Sequence, residues 1–222
     1  MDTSYSKVKE YCEEKGVTLV AISKTKTPEE LLAVYNQGQR IFGENKVQEL
    51  AGKRESPVLA SKEIEWHLVG HLQSNKVKLI VPFVSLIHAI DSWKLLKEVN
   101  KEAHKANRLV NVLLQIHIAR EETKFGLSYE EAEKILGNTE LSLLANVRIL
   151  GLMGIASLTE DMEQVRNEFR ELKRFFDQFQ GTSSRLQTLS MGMSGDYEIA
   201  IEEGSTMVRI GSAIFGERNY NR

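Results

Sequence analysis

The chain has 222 residues, 41% of them hydrophobic, enough to bury one substantial core, and α/β barrels of this size commonly form a single domain. Lys and Arg number 29 against 31 Asp and Glu, a formal net charge of -2, so no basic excess suggests nucleic acid and no acidic tail is present. Cys12 is the single cysteine, which excludes a disulfide within the chain and fits a reducing compartment.

Met1 to Gly16 has no apolar h-region, and the segment Thr3 to Lys15 reads as a helix with Tyr5, Val8 and Cys12 on one face. Apolar runs rich in Val, Ile and Leu follow at Thr18–Ser23, Arg40–Gly43, Glu65–Gly70, Leu86–Asp91, Asn111–Ile118, Val147–Ala156, Thr188–Met191 and Met207–Phe215, each predicting a strand. Helices are predicted to start after Thr27-Pro28-Glu29-Glu30, after Asp91-Ser92 and after Ser128, where a capping residue precedes early acids or an apolar period. Gly38 and Gly204 are the expected helix stops. Between Asp161 and Phe179, Met162, Val165, Phe169, Leu172, Phe176 and Phe179 recur at steps of three and four, an amphipathic helix that must pack on something. The most apolar stretch, Leu79 to Ile90, is short and broken by Pro82 and Ser85, so a soluble cytoplasmic protein with no membrane association is expected.

Strands alternating with helices, with runs apolar on both faces, predict an α/β fold: one (β/α)8 TIM barrel over residues 1–222 with an extra N-terminal helix. A doubly wound open sheet is the alternative. In a barrel, chemistry sits at the carboxyl ends of the strands. There the chain carries Lys24 after the first run, Gly43-Glu44-Asn45 after the second, Gly70-His71 after the third, Met153 near the end of the sixth, Ser190-Met191-Gly192-Met193-Ser194 after the seventh, and Gly211-Ser212 in the last. Glycine backbone amides with a hydroxyl from Ser190, Ser194 or Ser212 could bind a phosphate dianion. Strand parity puts Val20, Ile22 and Lys24 on one face and Met207, Arg209 and Gly211 on another, so an amine and a guanidinium can both point inward from strands that are neighbours when a barrel closes. Those groups around one small planar ligand describe pyridoxal 5'-phosphate, with Arg209 holding the pyridine nitrogen unprotonated. His67 and His71 lie on a strand and its loop with no cysteine or acid cluster to complete a metal set, so no metal is expected.

The segments Val20-Ala21-Ile22-Ser23-Lys24-Thr25-Lys26, Phe42-Gly43-Glu44-Asn45, Trp66-His67-Leu68-Val69-Gly70-His71-Leu72-Gln73-Ser74-Asn75-Lys76, Leu189-Ser190-Met191-Gly192-Met193-Ser194 and Met207-Val208-Arg209-Ile210-Gly211-Ser212 resemble the YggS/PROSC family of pyridoxal phosphate homeostasis proteins. The resemblance implies a fold-type III barrel similar to the N-terminal domain of alanine racemase, with Lys24 in a Schiff base with the cofactor and Arg209 on the pyridine nitrogen. It also implies Ser190, Gly211 and Ser212 about the phosphate, with Asn45 and Met153 near the ring. Lys124 resembles a further family position, whereas His71 stands where the family often has proline or threonine. The implied function is storage, buffering or delivery of the cofactor without efficient catalysis, by a monomer whose recipients are pyridoxal phosphate-dependent apoenzymes. A pyridoxal phosphate-dependent amino-acid racemase is the alternative, but it needs a second acid/base on the opposite face of the ring, and only six residues follow Gly216. A Schiff-base aldolase would leave the Arg209 to Gly211 arrangement without a reason.

Overall fold

The computed structural model describes residues 4–121, 125–179 and 186–216. Its elements run α1 (Ser4–Glu14), β1 (Thr18–Ile22), α2 (Pro28–Asn36), β2 (Ile41–Glu44), α3 (Val47–Glu55), β3 (Glu65–Leu68), α4 (Val77–Ile80), β4 (Leu86–Ile90) and α5 (Trp93–Lys105). They continue with β5 (Val110–Ile116), α6 (Tyr129–Leu136), β6 (Val147–Gly154), α7 (Met162–Asp177), β7 (Thr188–Ser190), α8 (Tyr197–Glu202), β8 (Met207–Ile210) and α9 (Ser212–Phe215). The eight strands are parallel and close into a barrel in sequence order, β8 pairing with β1 through Thr18 opposite Met207 and Val20 opposite Arg209. The expected barrel and its leading helix are both present, and the open sheet is excluded by that closing pair.

Local chemistry explains where the helices begin. Thr27 caps α2 in a reciprocal box, its hydroxyl accepting from the Glu30 amide at 3.3 Å while its own amide donates to Glu30 Oε2 at 2.7 Å. Ser128 and Glu131 repeat that box at α6, and Ser92 and Asp161 cap α5 and α7. Gly38 and Gly204 adopt φ of 105° and 94° just past their helices, a conformation that costs a glycine little.

The core has two layers, because alternate side chains of each strand face opposite ways. Val20, Ile22, Val69, Leu86, Leu113, Met153 and Met207 fill the barrel interior, while Ala21, Phe42, Leu68, Ile87 and Val208 face the helices. Phe169, Leu172 and Phe176 of α7 are fully buried in the outer layer, whereas Met162, in the first turn, is 41% exposed. Cys12 is buried in α1 and its thiol is pushed up to about 11 by burial, so it is a packing residue. One expectation fails at the end of the chain. Met207 to Phe215 reads as a single apolar run, but the strand stops at Ile210 and Ser212 onward coils into α9.

Phe169→Ala is expected to lower the unfolding free energy by about 3–5 kcal/mol, because it empties a fully buried site between α7 and the barrel. A urea titration measures this, and a change below about 1 kcal/mol would mean that α7 is not packed as described.

Candidate functional site

A cavity of about 540 Å³ opens at the carboxyl ends of the strands, and Lys24, Asn45, His71, Arg209, Gly211 and Ser212 all line it. Lys24 stands two residues beyond β1, in line with the inward-facing Val20 and Ile22. The turn that carries it is held from several sides. Thr25 takes a positive φ of 65°, the Ser23 amide donates to the Gly43 carbonyl at 3.0 Å, and Lys26 Nζ donates to the Phe215 carbonyl of α9 at 2.9 Å.

Behind this turn lies a buried charged cluster on the helix-facing side of the barrel. Lys53 of α3 places all three ammonium hydrogens, on the Ser23 carbonyl at 2.6 Å, Glu44 Oε1 at 2.6 Å and Glu49 Oε1 at 2.7 Å. The Ser23 hydroxyl also donates to Glu44 Oε1, and the Thr25 amide donates to Glu49. Burial pushes the Glu44 carboxyl up to about 7 against the attraction of Lys53. The two residues flanking Lys24 in the chain are thereby tied to α3.

Inside the barrel the arrangement is different. Arg209 is 4% exposed, and its guanidinium donates to the Ser190 carbonyl at 2.7 Å, the Ser190 hydroxyl at 2.7 Å and the Gly154 carbonyl at 2.9 Å. Burial lowers its pKa to about 10, so it stays charged at neutral pH, and the ion pairs among the described residues do not include it. The Ser190 hydroxyl oxygen also lies 3.1 Å from Nδ1 of His88. His88 Nε2 in turn lies 3.0 Å from His67 Nδ1, so one of these two nitrogens carries the proton that joins the rings. Burial drives His67 down to about 3 and His88 well below its usual value, so both are neutral.

At the far end of the cavity the Ser194 hydroxyl oxygen accepts from the amides of Gly211 at 3.2 Å and Ala213 at 3.4 Å. Gly192, with φ of 96°, makes the turn that delivers this loop; a Cβ there would lie 2.6 Å from that of Ala200. A Cβ at Gly211 would lie 3.1 Å from the Ile22 carbonyl, so β1 and the last turn approach closely here.

Of the residues singled out in the sequence, Lys24, Asn45, Arg209, Gly211 and Ser212 come together in the cavity wall. Met153 and Ser190 lie beneath it: Met153 is fully buried in the interior cluster, and the Ser190 hydroxyl is engaged by Arg209 and His88. Lys124 falls outside the described residues. The Glu44–Lys53 cluster, which ties the end of β2 to α3 and to Ser23 beyond β1, and a contact between His71 and Asp91 of successive βα units are additions that local sequence reading does not supply. Among the described residues, no group of His, Cys, Asp and Glu could hold a metal ion, and no helix is long and apolar enough to cross a membrane.

The sequence profile of the family described as "Alanine racemase, N-terminal domain" matches residues 1–219. A relative from Aquifex aeolicus, named pyridoxal phosphate homeostasis protein, is 42% identical over 221 residues, covering 96% of this chain and 95% of its own. Among solved structures, PipY of Synechococcus elongatus PCC7942 with PLP bound superimposes with a TM-score of 0.86 at 32% identity, covering 96% of this chain and all of that one. Alanine racemase from Bartonella henselae, at 15% identity and a TM-score of 0.69, covers 97% of this chain and 60% of its own, and shares the fold.

Two of the shifted groups make opposite predictions for stability. His67 is lowered from 6.5 to about 3, so the stability it contributes is present in full above 6.5 and is lost as pH falls. Glu44 is raised from 4.5 to about 7, so its contribution is present in full below 4.5 and is lost as pH rises through 7. Unfolding free energies measured between pH 6.5 and 4.5 should therefore fall less steeply on acidification in His67→Gln than in wild type, and more steeply in Glu44→Gln. Parallel curves for all three proteins would contradict the burial of these groups.

Proposed function

This chain belongs to the alanine racemase N-terminal domain family and, within it, to the pyridoxal phosphate homeostasis proteins, and from that membership we propose that it holds pyridoxal 5'-phosphate on Lys24 and serves intracellular supply of that cofactor. The observation that carries this reading is the cavity in which an amine, a buried guanidinium and a glycine turn converge. The donor set fits the group. Arg209 is a buried cation that has only neutral oxygen acceptors among its hydrogen-bond partners, and a ligand that brings an electron-rich nitrogen and a dianion suits it. The contacts of the Ser194 hydroxyl oxygen with the Gly211 and Ala213 amides gather one O–H and two N–H donors at one end of the cavity, a set that suits a phosphate.

When bound, the cofactor supplies an aldehyde for a Schiff base with a lysine, a pyridine ring and a phosphate. Lys24 is the amine nearest the end of an inward-facing strand in this cavity, and the cluster around Ser23, Glu44 and Lys53 steadies its backbone. Arg209 carries only donors, so opposite the pyridine nitrogen it keeps that nitrogen an acceptor and weakens carbanion chemistry. The Gly211 and Ala213 amides hold the phosphate together with the Ser194 and Ser212 hydroxyls. Ser190 acts on this site through Arg209 and His88, Asn45 borders the ring, and Met153 supports it from below. The whole chain works as one binding unit, a monomer in the cytoplasm that passes the cofactor to pyridoxal phosphate-dependent apoenzymes. Its relatives are named for homeostasis and not for a catalysed reaction, and the near-balanced charge of -2 gives no footing to nucleic acid.

Purified protein is expected to absorb in the visible range, to lose that band in Lys24→Ala, and to give a borohydride-fixed adduct that peptide mapping places on Lys24. Label on Lys26 or Lys76 would overturn the attachment, and amino-acid racemisation at ordinary enzymatic rates, lost in Lys24→Ala, would overturn the carrier reading.

The phosphate contacts rank in a definite order. Loss of one hydroxyl donor, in Ser194→Ala or Ser212→Ala, is expected to weaken binding by about 1.5–3 kcal/mol, or roughly tenfold or more. Gly211→Val should cost more than either, since its side chain would crowd the Ile22 carbonyl and displace the turn. Equilibrium titration of apoprotein measures all three, and equal affinity for pyridoxal and pyridoxal phosphate would refute a phosphate site in this turn.

A further inference from the structure

His71 stands at the wall of the same cavity as Lys24, in line with the inward-facing His67 of β3 and with Val69 just beyond that strand. Its Nδ1 lies 3.0 Å from Oδ2 of Asp91, and its ring stacks on Phe125 with centroids 4.1 Å apart and planes 16° from parallel. Asp91 directly follows β4 and precedes Ser92, whose hydroxyl caps α5 by accepting from the Leu95 amide at 3.2 Å, so its backbone is anchored at a helix start. One hydrogen bond and one stacking contact thus set the plane and the direction of an imidazole at a site edge. The carboxylate partner assigns the remaining proton to Nδ1 and leaves the basic lone pair on Nε2.

The other histidines do not match this. His67 and His88 are sealed in the barrel interior and committed to each other and to Ser190, His117 directs Nε2 at the Glu121 carbonyl at 2.9 Å, and His104 is exposed on α5. Lys26 also lines the cavity, but it is tied to the Phe215 carbonyl and pairs with Glu30 at 3.5 Å.

We propose that His71, positioned by Asp91 and Phe125, is the catalytic base that lets a small primary amine of amino-acid type displace Lys24 from the bound cofactor, so that release onto amines is assisted by the protein. The proposal rests on the attachment to Lys24 given above. The incoming ammonium would give one proton to Nε2 of His71, and its freed lone pair would form a bond to the carbon carried by Lys24 while one pair of the carbon–nitrogen double bond moves onto the Lys24 nitrogen. One proton would pass from the attacking nitrogen to the Lys24 nitrogen and the imidazolium would return its own proton there, and as the lone pair of the attacking nitrogen makes the new double bond to carbon the remaining bond to Lys24 would break and release it as a free amine. Nothing is oxidised or reduced. Asp91 is a positioning residue: its charge steadies the imidazolium while the proton is held.

The test compares wild type with His71→Gln and Asp91→Asn. In 15N NMR spectra of the apoprotein, His71 is expected as the Nδ1–H tautomer in wild type, with that preference weakened in Asp91→Asn; a predominant Nε2–H tautomer in wild type would overturn the proposal without reference to the loaded protein. On stopped-flow mixing of loaded protein with alanine, His71→Gln should exchange about 10²- to 10⁴-fold more slowly, the range usual for a general base. Hydroxylamine, uncharged at neutral pH, has no proton to lose before attack and should react with both proteins at similar rates. Wild-type rates with alanine in His71→Gln, or equal slowing with both nucleophiles, would overturn the assignment. The borohydride adduct on Lys24 and the equilibrium affinity should be unchanged in His71→Gln; a large loss of affinity there would make His71 a binding residue instead. If wild type itself forms no adduct on Lys24, the functional reading fails and this proposal with it, whereas normal adduct with unaltered exchange sinks this proposal alone.

Discussion

The site depends on keeping one charged guanidinium inside a barrel. Taking Arg209 out of water costs several kcal/mol, and the barrel offsets this with neutral dipoles from two strands: the Gly154 carbonyl of β6 and the carbonyl and hydroxyl of Ser190 in β7. A carboxylate in their place would cancel the charge. Neutral acceptors steady it and leave the positive potential directed at the cavity. The same potential falls on His88, whose proton affinity Arg209 and His67 lower further beyond the effect of burial. The interior polar chain thus runs from Arg209 through Ser190 and His88 to His67, with the cation at its head.

On the other side of β1 the opposite solution operates. Lys53 is buried against two carboxylates, and this paired cluster fixes Ser23 and Thr25, the residues on either side of Lys24. The two networks are separated by the strand itself, because alternate residues face alternate layers. Lys24 is the point where they meet: its backbone is held from the helix layer, and its side chain enters the compartment that Arg209 polarises.

Much of this was legible in the chain. The eight βα units followed from Val, Ile and Leu runs between capped helices, and the inward direction of Lys24 and Arg209 followed from counting in twos along β1 and β8. What escaped is what depends on distant neighbours. Glu44 lies at the end of a four-residue strand and Lys53 on a helix without a strong apolar face, so neither advertises a buried pair. His71 gains its orientation from Asp91, 20 residues later, and from Phe125 in another βα loop, a relation that barrel closure alone creates. Ser190 sits at a strand end two residues before Gly192, and its buried hydroxyl meets Arg209 and His88, contacts that the local sequence does not reveal. The bend at Gly211 was legible from the Gly-Ser step, although Ile210 to Phe215 is apolar enough to serve either a strand or a short helix.

The pairing of β8 with β1 bears on how the protein comes into being. These strands are nearly two hundred positions apart along the polypeptide, and between them they bring Arg209, Gly211 and Lys24 into one place. During synthesis on a ribosome, which proceeds from the N-terminus, the first seven strands emerge before the guanidinium and the glycine turn exist. Such a contact is also among the slowest to form, since ends so far apart must find each other against chain entropy. The cavity wall is therefore completed late and abruptly, with the final βα unit, and a chain arrested before that unit carries the amine without the guanidinium and the glycine turn that close the wall around it.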